Sequence, residues 1–143
     1  MEARIRPATL DDAEGIRQIN LKAFGYDYGQ TANRLAQILD KANIRIFVAE
    51  IQGRVAGYIH GSDYDCTYAP PLKNILALGV LEEYRGKGVG RRLVRELEAW
   101  AKSDGCAGVR LVSGFNRAEA HNFYLRCGYA DRKDQKNFIK IFT

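Results

Sequence analysis

One short run of the sequence combines three glycines with basic side chains in a spacing that suits an anion-binding loop. It reads Arg85-Gly86-Lys87-Gly88-Val89-Gly90-Arg91, and it separates the apolar segment Ile75 to Val80 from a long amphipathic segment that ends near Lys102. Glycine lets backbone amides approach a ligand closely. The first amides of a helix have no partner inside the helix and lie at the positive end of its dipole. A strand, a glycine turn and a helix start therefore predict a phosphate or pyrophosphate site.

Two common phosphate-binding motifs do not fit this run. The pattern G-x-x-x-x-G-K-[ST] fails because Gly88 follows Lys87 where a Ser or Thr is required. The dinucleotide pattern G-x-G-x-x-G fails because the glycines fall at 86, 88 and 90. What the run does match is Arg-x-x-Gly-x-Gly, directly after a strand that ends in Leu78-Gly79-Val80.

A second block lies downstream, from Ser113 to Tyr129, and carries Phe123-Tyr124 followed by Gly128-Tyr129. The two blocks, in this order and at this separation, resemble the cofactor blocks of the GNAT superfamily of N-acetyltransferases. The resemblance covers nearly the whole chain. It implies an enzyme that transfers the acetyl group of acetyl-CoA directly to a primary amine of a small molecule or peptide, with no metal and no covalent intermediate.

The resemblance also implies which residues bind acetyl-CoA as the co-substrate. The strand end would offer backbone groups to the pantetheine arm, the glycine loop would wrap the pyrophosphate, and the basic residues around it would add positive potential. The residues concerned are Leu78, Gly79, Val80, Arg85, Gly86, Lys87, Gly88, Val89, Gly90, Arg91, Arg92 and Asn116. Many family members carry an asparagine seven residues before the tyrosine, where this chain has Arg117. The residue of that turn that contacts CoA can therefore be either Asn116 or Arg117.

Tyr124 is the residue implied for chemistry, as general acid to the departing CoA thiolate. A phenol with a pKa near 10 is protonated at neutral pH and can donate as charge builds on sulfur. Some members place a glutamate before the glycine loop as the base, but this chain has Lys73-Asn74 there. His60, His121 and a chain of water molecules stay open as routes for the amine proton.

The resemblance implies that the amine is recognised by the loop between the first two helices and the loop before the strand that ends at Val80, and both contain interleaved tyrosines and aspartates. The residues are Tyr26, Asp27, Tyr28, Asp65 and Tyr68. Carboxylates pair with a cation and aromatic ring faces attract it. The alternative is two solvated polar loops. Two alternatives to the function also stay open: a CoA-binding regulator without catalysis, and the same fold acting on a longer acyl-CoA.

The elements that must position these residues can be located from periodicity and turn signals. The pattern predicts strands at Arg4–Arg6, Ile46–Ile51, Arg54–Gly61, Ile75–Val80 and Val109–Val112, with a loop from Ser62 to Leu72. Helices are predicted up to Phe24, from Thr31 to Lys41, after Gly90 and from Ala118 to Cys127, and two closing strands at Tyr129–Arg132 and Asn137–Phe142. The order β-α-α-β-β-β-α-β-α-β-β predicts one α/β domain over residues 1–143, with a mixed, largely antiparallel sheet flanked by helices.

The composition of the chain also bears on its partners, its location and the kinds of site it can contain. The formal net charge of +5 comes with no basic run and no stacking motif, so nucleic acid is not expected as a partner. No apolar run is long enough for a membrane span. The three cysteines show no C-x-x-C spacing, which disfavours a metal site or a disulfide framework and favours a cytoplasmic location. Apolar side chains at 138, 139, 141 and 142 are compatible with a homodimer edge.

Overall fold

The computed structural model describes residues 2–142, which divide into two compact units, one up to Val112 and one from Ser113. In the first unit the elements are β1 (Arg4–Pro7), α1 (Ala13–Phe24), α2 (Thr31–Leu39), β2 (Ile44–Ile51), β3 (Arg54–Tyr64), β4 (Leu72–Val80), α3 (Val89–Ser103) and β5 (Gly108–Leu111). The second unit contains α4 (Ala118–Arg126). None of the helices described is both long and apolar enough to cross a membrane.

The five strands form one sheet in the order β1-β2-β3-β4-β5. The first three pairings are antiparallel and only β4 with β5 is parallel, which confirms the mixed, largely antiparallel sheet. The β2–β3 hairpin turns at Gln52 and Gly53, whose φ angles are 51° and 77°. Positive φ at both central residues matches the right-handed twist of the flanking strands.

Helices cover both faces of the sheet. On one face, the buried Tyr58 of β3 donates its hydroxyl hydrogen to Asn20 of α1. On the other face, a Cβ at Gly61 of β3 would collide with Leu97 of α3. The fully buried side chains come from both layers and from the sheet between them, and they include Ile19, Val48, Ile59, Leu93, Val94 and Leu97.

The start of α1 is fixed by an ion pair in which only the aspartate, Asp12, is fully buried. A single 3-10 turn, Leu10–Asp12, precedes the helix, and the Thr9 amide donates to the Asp12 carboxylate at 2.8 Å. Arg6 of β1 donates to both oxygens of the same carboxylate, each at 2.8 Å. Because Arg6 also contacts Glu50 of β2 at 2.9 Å, one guanidinium joins the helix start to two strands.

The structure moves several boundaries that the sequence pattern predicts. The expected loop from Ser62 to Leu72 shortens to residues 65–71, because β3 continues to Tyr64 and β4 begins at Leu72. The second helix ends at Leu39 rather than at Lys41. The helix that ends at Phe24 does so as predicted, with Gly25 at a φ of 74°.

The two closing strands, predicted at Tyr129–Arg132 and Asn137–Phe142, are not formed among the described residues. Residues 130–142 are exposed, and the sheet contains no strand drawn from them. Alternating apolar residues indicate only that a segment can form a strand, whereas the strand itself needs a neighbour to pair with its amides and carbonyls. A homodimer through the apolar residues of this segment stays a prediction.

Candidate functional site

The glycine loop connects the end of β4 to the start of α3. Gly86 and Gly88 have φ angles of 75° and 81°, in the left-handed region that other residues avoid. A Cβ at either position would meet no atom within 4 Å. These two glycines are therefore required by backbone conformation, and the space beside them is open to a ligand.

The start of α3 presents backbone amides beside this loop. Gly88 is the N-cap residue and makes no side-chain capping bond. The Arg92 amide donates to the Gly88 carbonyl at 3.1 Å, so the amides of Val89 and Gly90 precede that bond and have no partner inside the helix. The positive end of the helix dipole lies here as well, and the arrangement can bind an anion.

The basic side chains around the loop differ in what they contact. Arg85 turns back onto β4, where its Nε donates to the Val80 carbonyl at 2.9 Å. The Lys87 ammonium lies 5.9 Å from the centre of the Tyr84 ring. Arg92 donates to the Ala3 carbonyl near the start of the chain, so its charge is anchored to that carbonyl.

One edge of β4 is only half paired. The whole strand pairs with β3, but its parallel pairing with β5 covers only Leu72–Ile75. Among the described strands, none pairs with the stretch Leu76–Val80 on that side. Alternate backbone groups of this stretch point away from β3 and can bind an extended ligand. The Val80 carbonyl is already used by Arg85.

Gly79, predicted to bind a cofactor through its backbone, also has a packing role. A Cβ on this residue would lie 2.6 Å from Ile19 and 3.2 Å from Phe24 of α1. The absence of a side chain therefore lets the end of α1 pack directly on β4. The sequence carries no signal for this contact, because it depends on how the helix crosses the sheet.

The second unit holds Tyr124 on α4. Its ring packs edge-on against Phe123 and Tyr129, with centroid distances of 5.2 Å and 5.7 Å. Burial raises the pKa of Tyr124 to about 12, against the opposing positive charge of Arg117. The phenol is therefore protonated at physiological pH and available as a hydrogen-bond donor.

The turn before α4 holds the two candidates for a further cofactor contact. Arg117 occupies the N-cap position of α4 and Asn116 lies in the exposed turn before it. The Arg117 carbonyl accepts from the His121 amide at 3.0 Å. The His121 ring lies 2.8 Å from the Gly114 carbonyl through Nε2, which makes it a structural contact of this turn.

The residues predicted to recognise the amine lie on exposed loops of the first unit. Tyr26 and Tyr28 follow α1 and are 67% and 52% exposed. Asp27, between them, pairs with Arg17 of α1 at 3.0 Å. Asp65 is exposed, and Tyr68 is 82% exposed.

The place where some family members carry a basic glutamate contains a buried lysine here. Lys73 is 3% exposed, and its ammonium contacts Asp63 at 2.5 Å and Asp104 at 2.7 Å. The same ammonium lies 4.0 Å from the centre of the Trp100 ring. Burial alone would lower the pKa of Lys73, but its hydrogen bonds to the two aspartates raise it. The lysine therefore stays charged and joins β3 and β4 to the end of α3.

In the described part of the chain, no group of His, Cys, Asp and Glu is placed to hold a metal ion.

Comparison with known proteins identifies the family. The model of the acetyltransferase (GNAT) family matches residues 13–129, which include both sequence blocks. The chain belongs to this family. As a GNAT family member it is an acetyltransferase, and its five-stranded sheet and flanking helices have the fold expected from the resemblance.

Relatives of this GNAT protein are named as N-acetyltransferases. An uncharacterised N-acetyltransferase of Methanocaldococcus jannaschii is 32% identical over 90% of this chain and 79% of its own length. An aminoglycoside N(6')-acetyltransferase of Stenotrophomonas maltophilia is 28% identical over 89% and 86%. Among solved structures, aminoglycoside N-acetyltransferase AAC(6')-Iy in complex with CoA matches with a TM-score of 0.87 and 17% identity, covering 97% of this chain and 95% of that one. At this identity the match shows the fold alone.

Proposed function

We propose that this GNAT family member transfers an acetyl group from acetyl-CoA directly to a primary amine of a small molecule or peptide. The observation that carries the proposal is the continuous stretch from Leu76 to Gly90, where a strand edge that none of the described strands covers on one side runs into a glycine turn and a helix start. CoA has the matching parts in the same order, an extended chain of amides followed by a pyrophosphate.

The residues of this stretch fit the co-substrate. Within Leu78, Gly79 and Val80, the backbone groups that point away from β3, apart from the Val80 carbonyl already bonded to Arg85, would bind the pantetheine arm, as an added strand would bind a sheet edge. The loop from Arg85 to Arg91 would bind the pyrophosphate with amides at the helix start. A cofactor contact from Asn116 or Arg117 stays a prediction. When bound, acetyl-CoA supplies the thioester carbon that the amine attacks.

Direct attack of the amine on the thioester requires that the two reactants be positioned together and that protons be transferred, and it requires no nucleophilic side chain of the enzyme. A lysine-like amine with a pKa near 10.4 must lose a proton, which costs about 4.6 kcal/mol at pH 7. Lys73 is held by two aspartates, and Glu82 and Glu83 are exposed in the turn after β4. His60, whose pKa is lowered by burial, is neutral near pH 7, and either it or a water chain would accept the proton.

Tyr124 would assist the departure of the CoA thiolate. Its pKa of about 12 lies above the value of about 8.5 for a thiol, so complete proton transfer to a free thiolate is uphill. A phenol with this pKa can nevertheless donate a hydrogen bond that strengthens as charge develops on sulfur. Its proton would move only if another group supplies one in return, such as the ammonium formed by the attacking amine.

The proposal is tested by measuring thiol release from acetyl-CoA with a panel of primary amines, and by identifying the acetylated product by mass spectrometry. Amine-dependent release is the expected result. Tight CoA binding with no release for any amine would instead identify a CoA-binding regulator. Faster release from propionyl- or butyryl-CoA than from acetyl-CoA would assign a longer acyl donor.

A further inference from the structure

A set of polar side chains occupies the face of the sheet on which α1 packs. Side chains alternate along a strand, and Tyr58 of β3 points to α1, so His60, Ser62 and Tyr64 share that face. The alternate positions Gly57 and Gly61 of β3 face α3 instead. The register then adds Asn74, which lies opposite Ser62, and Arg110, which lies opposite Asn74. We call these five residues the polar sheet face.

Arg110 is held firmly on this face without being neutralised. Its Nη1 donates to the Asn74 side-chain oxygen at 2.6 Å, and its guanidinium carbon lies 4.3 Å from the centre of the Tyr64 ring. Both contacts leave the positive charge in place. Within residues 2–142, no carboxylate lies within 4.0 Å of this guanidinium.

Two nitrogen atoms of the polar sheet face are buried and make no hydrogen bond in the part of the chain described. They are Nε of Arg110 and Nε2 of His60. A buried donor without a partner is unfavourable. A bound group that accepts hydrogen bonds and carries negative charge would satisfy the buried Nε of Arg110 and pair with the charge of this partly exposed guanidinium.

His60 relates this face to the proposed chemistry. It lies opposite Ala77 at the register shift in β4, at the start of the stretch proposed to bind pantetheine. An amine reacting beside that stretch would have the polar sheet face within reach of its other substituents. This step depends on the proposed function.

We propose that Arg110 binds an anionic group carried by the acceptor, a carboxylate or a phosphonate, so that the preferred acceptor is an amine that also bears a negative charge. Asn74 and Tyr64 act as positioning residues that hold the guanidinium ready for a two-point contact, the geometry that Arg favours with such anions. The acceptor class is then zwitterionic, as in amino acids and aminophosphonates, and not polycationic.

The test compares acceptors that differ only in the anion. Steady-state kinetics use 4-aminobutyrate, 3-aminopropylphosphonate and n-butylamine with the wild-type protein, Arg110→Gln and Arg110→Lys. We expect wild-type kcat/KM to be at least tenfold higher for one of the anionic amines than for n-butylamine. Arg110→Gln should abolish this preference through KM, while n-butylamine and the KM for acetyl-CoA stay unchanged. Arg110→Lys should restore part of it.

Two controls separate the outcomes. Arg45→Gln removes a positive charge on the exposed Arg45, 5.6 Å from Trp100, and should leave the preference intact. Calorimetric binding of 3-aminopropylphosphonate in the presence of CoA reports the anion site without turnover, and melting temperatures report folding. Equal wild-type rates for all three amines, or an equal loss for all three in a folded Arg110→Gln variant, would overturn the anion site alone. Arg110-dependent binding without thiol release would support the anion site and overturn the proposed function.

Discussion

The Arg17 guanidinium of α1 lies 3.0 Å from the Asp27 carboxylate in the loop after the helix. Arg17 also contacts Glu14 at 3.1 Å, one turn earlier on the same helix. Asp27, which the sequence predicts as a binding group for a cationic substrate, is thus already paired with Arg17 of its own chain. Asp65, on the loop between β3 and β4, is exposed and has no such partner among the described ion pairs.

This difference separates the two aspartates experimentally. Asp65→Asn should raise the apparent KM for amines several-fold, whereas Asp27→Asn alone should change it little because Arg17 already offsets its charge. Arg17→Gln should release Asp27 and lower the amine KM, because the carboxylate is then free to pair with the cationic substrate. The KM for acetyl-CoA is the internal control. A double aspartate variant that accepts every amine normally would remove these carboxylates from recognition.

The cofactor loop can be tested with a matched pair of glycines. Gly88→Val should lower CoA affinity at least tenfold, about 1.4 kcal/mol, because the left-handed backbone at a φ of 81° is distorted and the space beside it is filled. Gly105, at the other end of α3, has a φ of 74° and equally open surroundings. Gly105→Val should therefore cost similar stability but leave CoA binding intact. Calorimetry showing the same CoA affinity in both folded variants would place the site elsewhere.

Replacing Tyr124 by Phe removes one oxygen and keeps the packed ring. If the hydroxyl assists thiolate departure, the chemical step should slow by roughly a hundredfold, about 2.7 kcal/mol. CoA affinity and melting temperature should stay near the wild-type values, because the ring still packs on Phe123 and Tyr129. Single-turnover kinetics are the appropriate measurement, since slow product release can hide the effect in kcat. An unchanged transfer rate would leave Tyr124 with a packing role only.

The partly buried pair Arg6–Asp12 predicts a pH-dependent stability. Burial alone would raise the pKa of Asp12, but hydrogen bonds from Arg6 and Thr9 lower it below its usual value. The folded state therefore holds its proton less tightly than the unfolded chain, whose aspartate titrates near 3.9. The stabilisation is present above about pH 4 and is lost as the pH falls toward the lowered value.

Breaking the pair should be costly at neutral pH. Asp12→Asn should lower the free energy of unfolding by about 3 kcal/mol, because Arg6 is left partly buried without its main partner. Urea unfolding at pH 7 and pH 3 measures this, and the difference from wild type should shrink at pH 3. Arg54→Gln, which breaks the exposed pair with Glu83, is the control and should change stability little at either pH. A constant difference across pH would contradict the assignment.

The apolar residues near the C-terminus give a prediction about assembly. Phe138, Ile139, Ile141 and Phe142 are 72–87% exposed, and a second copy of the chain could cover them. If it does, the protein should sediment as a dimer, and Ile139→Lys with Ile141→Lys should give a monomer. Phe115→Ser, at a comparably exposed site in the same unit, should not change the mass. A wild-type monomer at all concentrations would exclude this interface.

The sequence alone determined the family and the local backbone conformation of the cofactor loop. The glycines at 86 and 88 predict their own backbone conformation, because few other residues adopt a positive φ, and the apolar periodicity predicts α1 and α3. These are local properties, set by the conformational preferences of each residue and the side on which its neighbours lie.

Only the tertiary structure decided the relationships between elements. Arg17 and Asp27 are ten residues apart and either could have faced solvent alone, and Lys73 meets Asp104 only because β4 packs on α3. Arg110, Asn74 and Tyr64 come from three strands, so their juxtaposition depends on the register of the sheet. A shift of one residue in one strand would move its side chain to the other face of the sheet. The closing segment shows the same limit, since its strand-like pattern contains no information about which chain edge, if any, it pairs with.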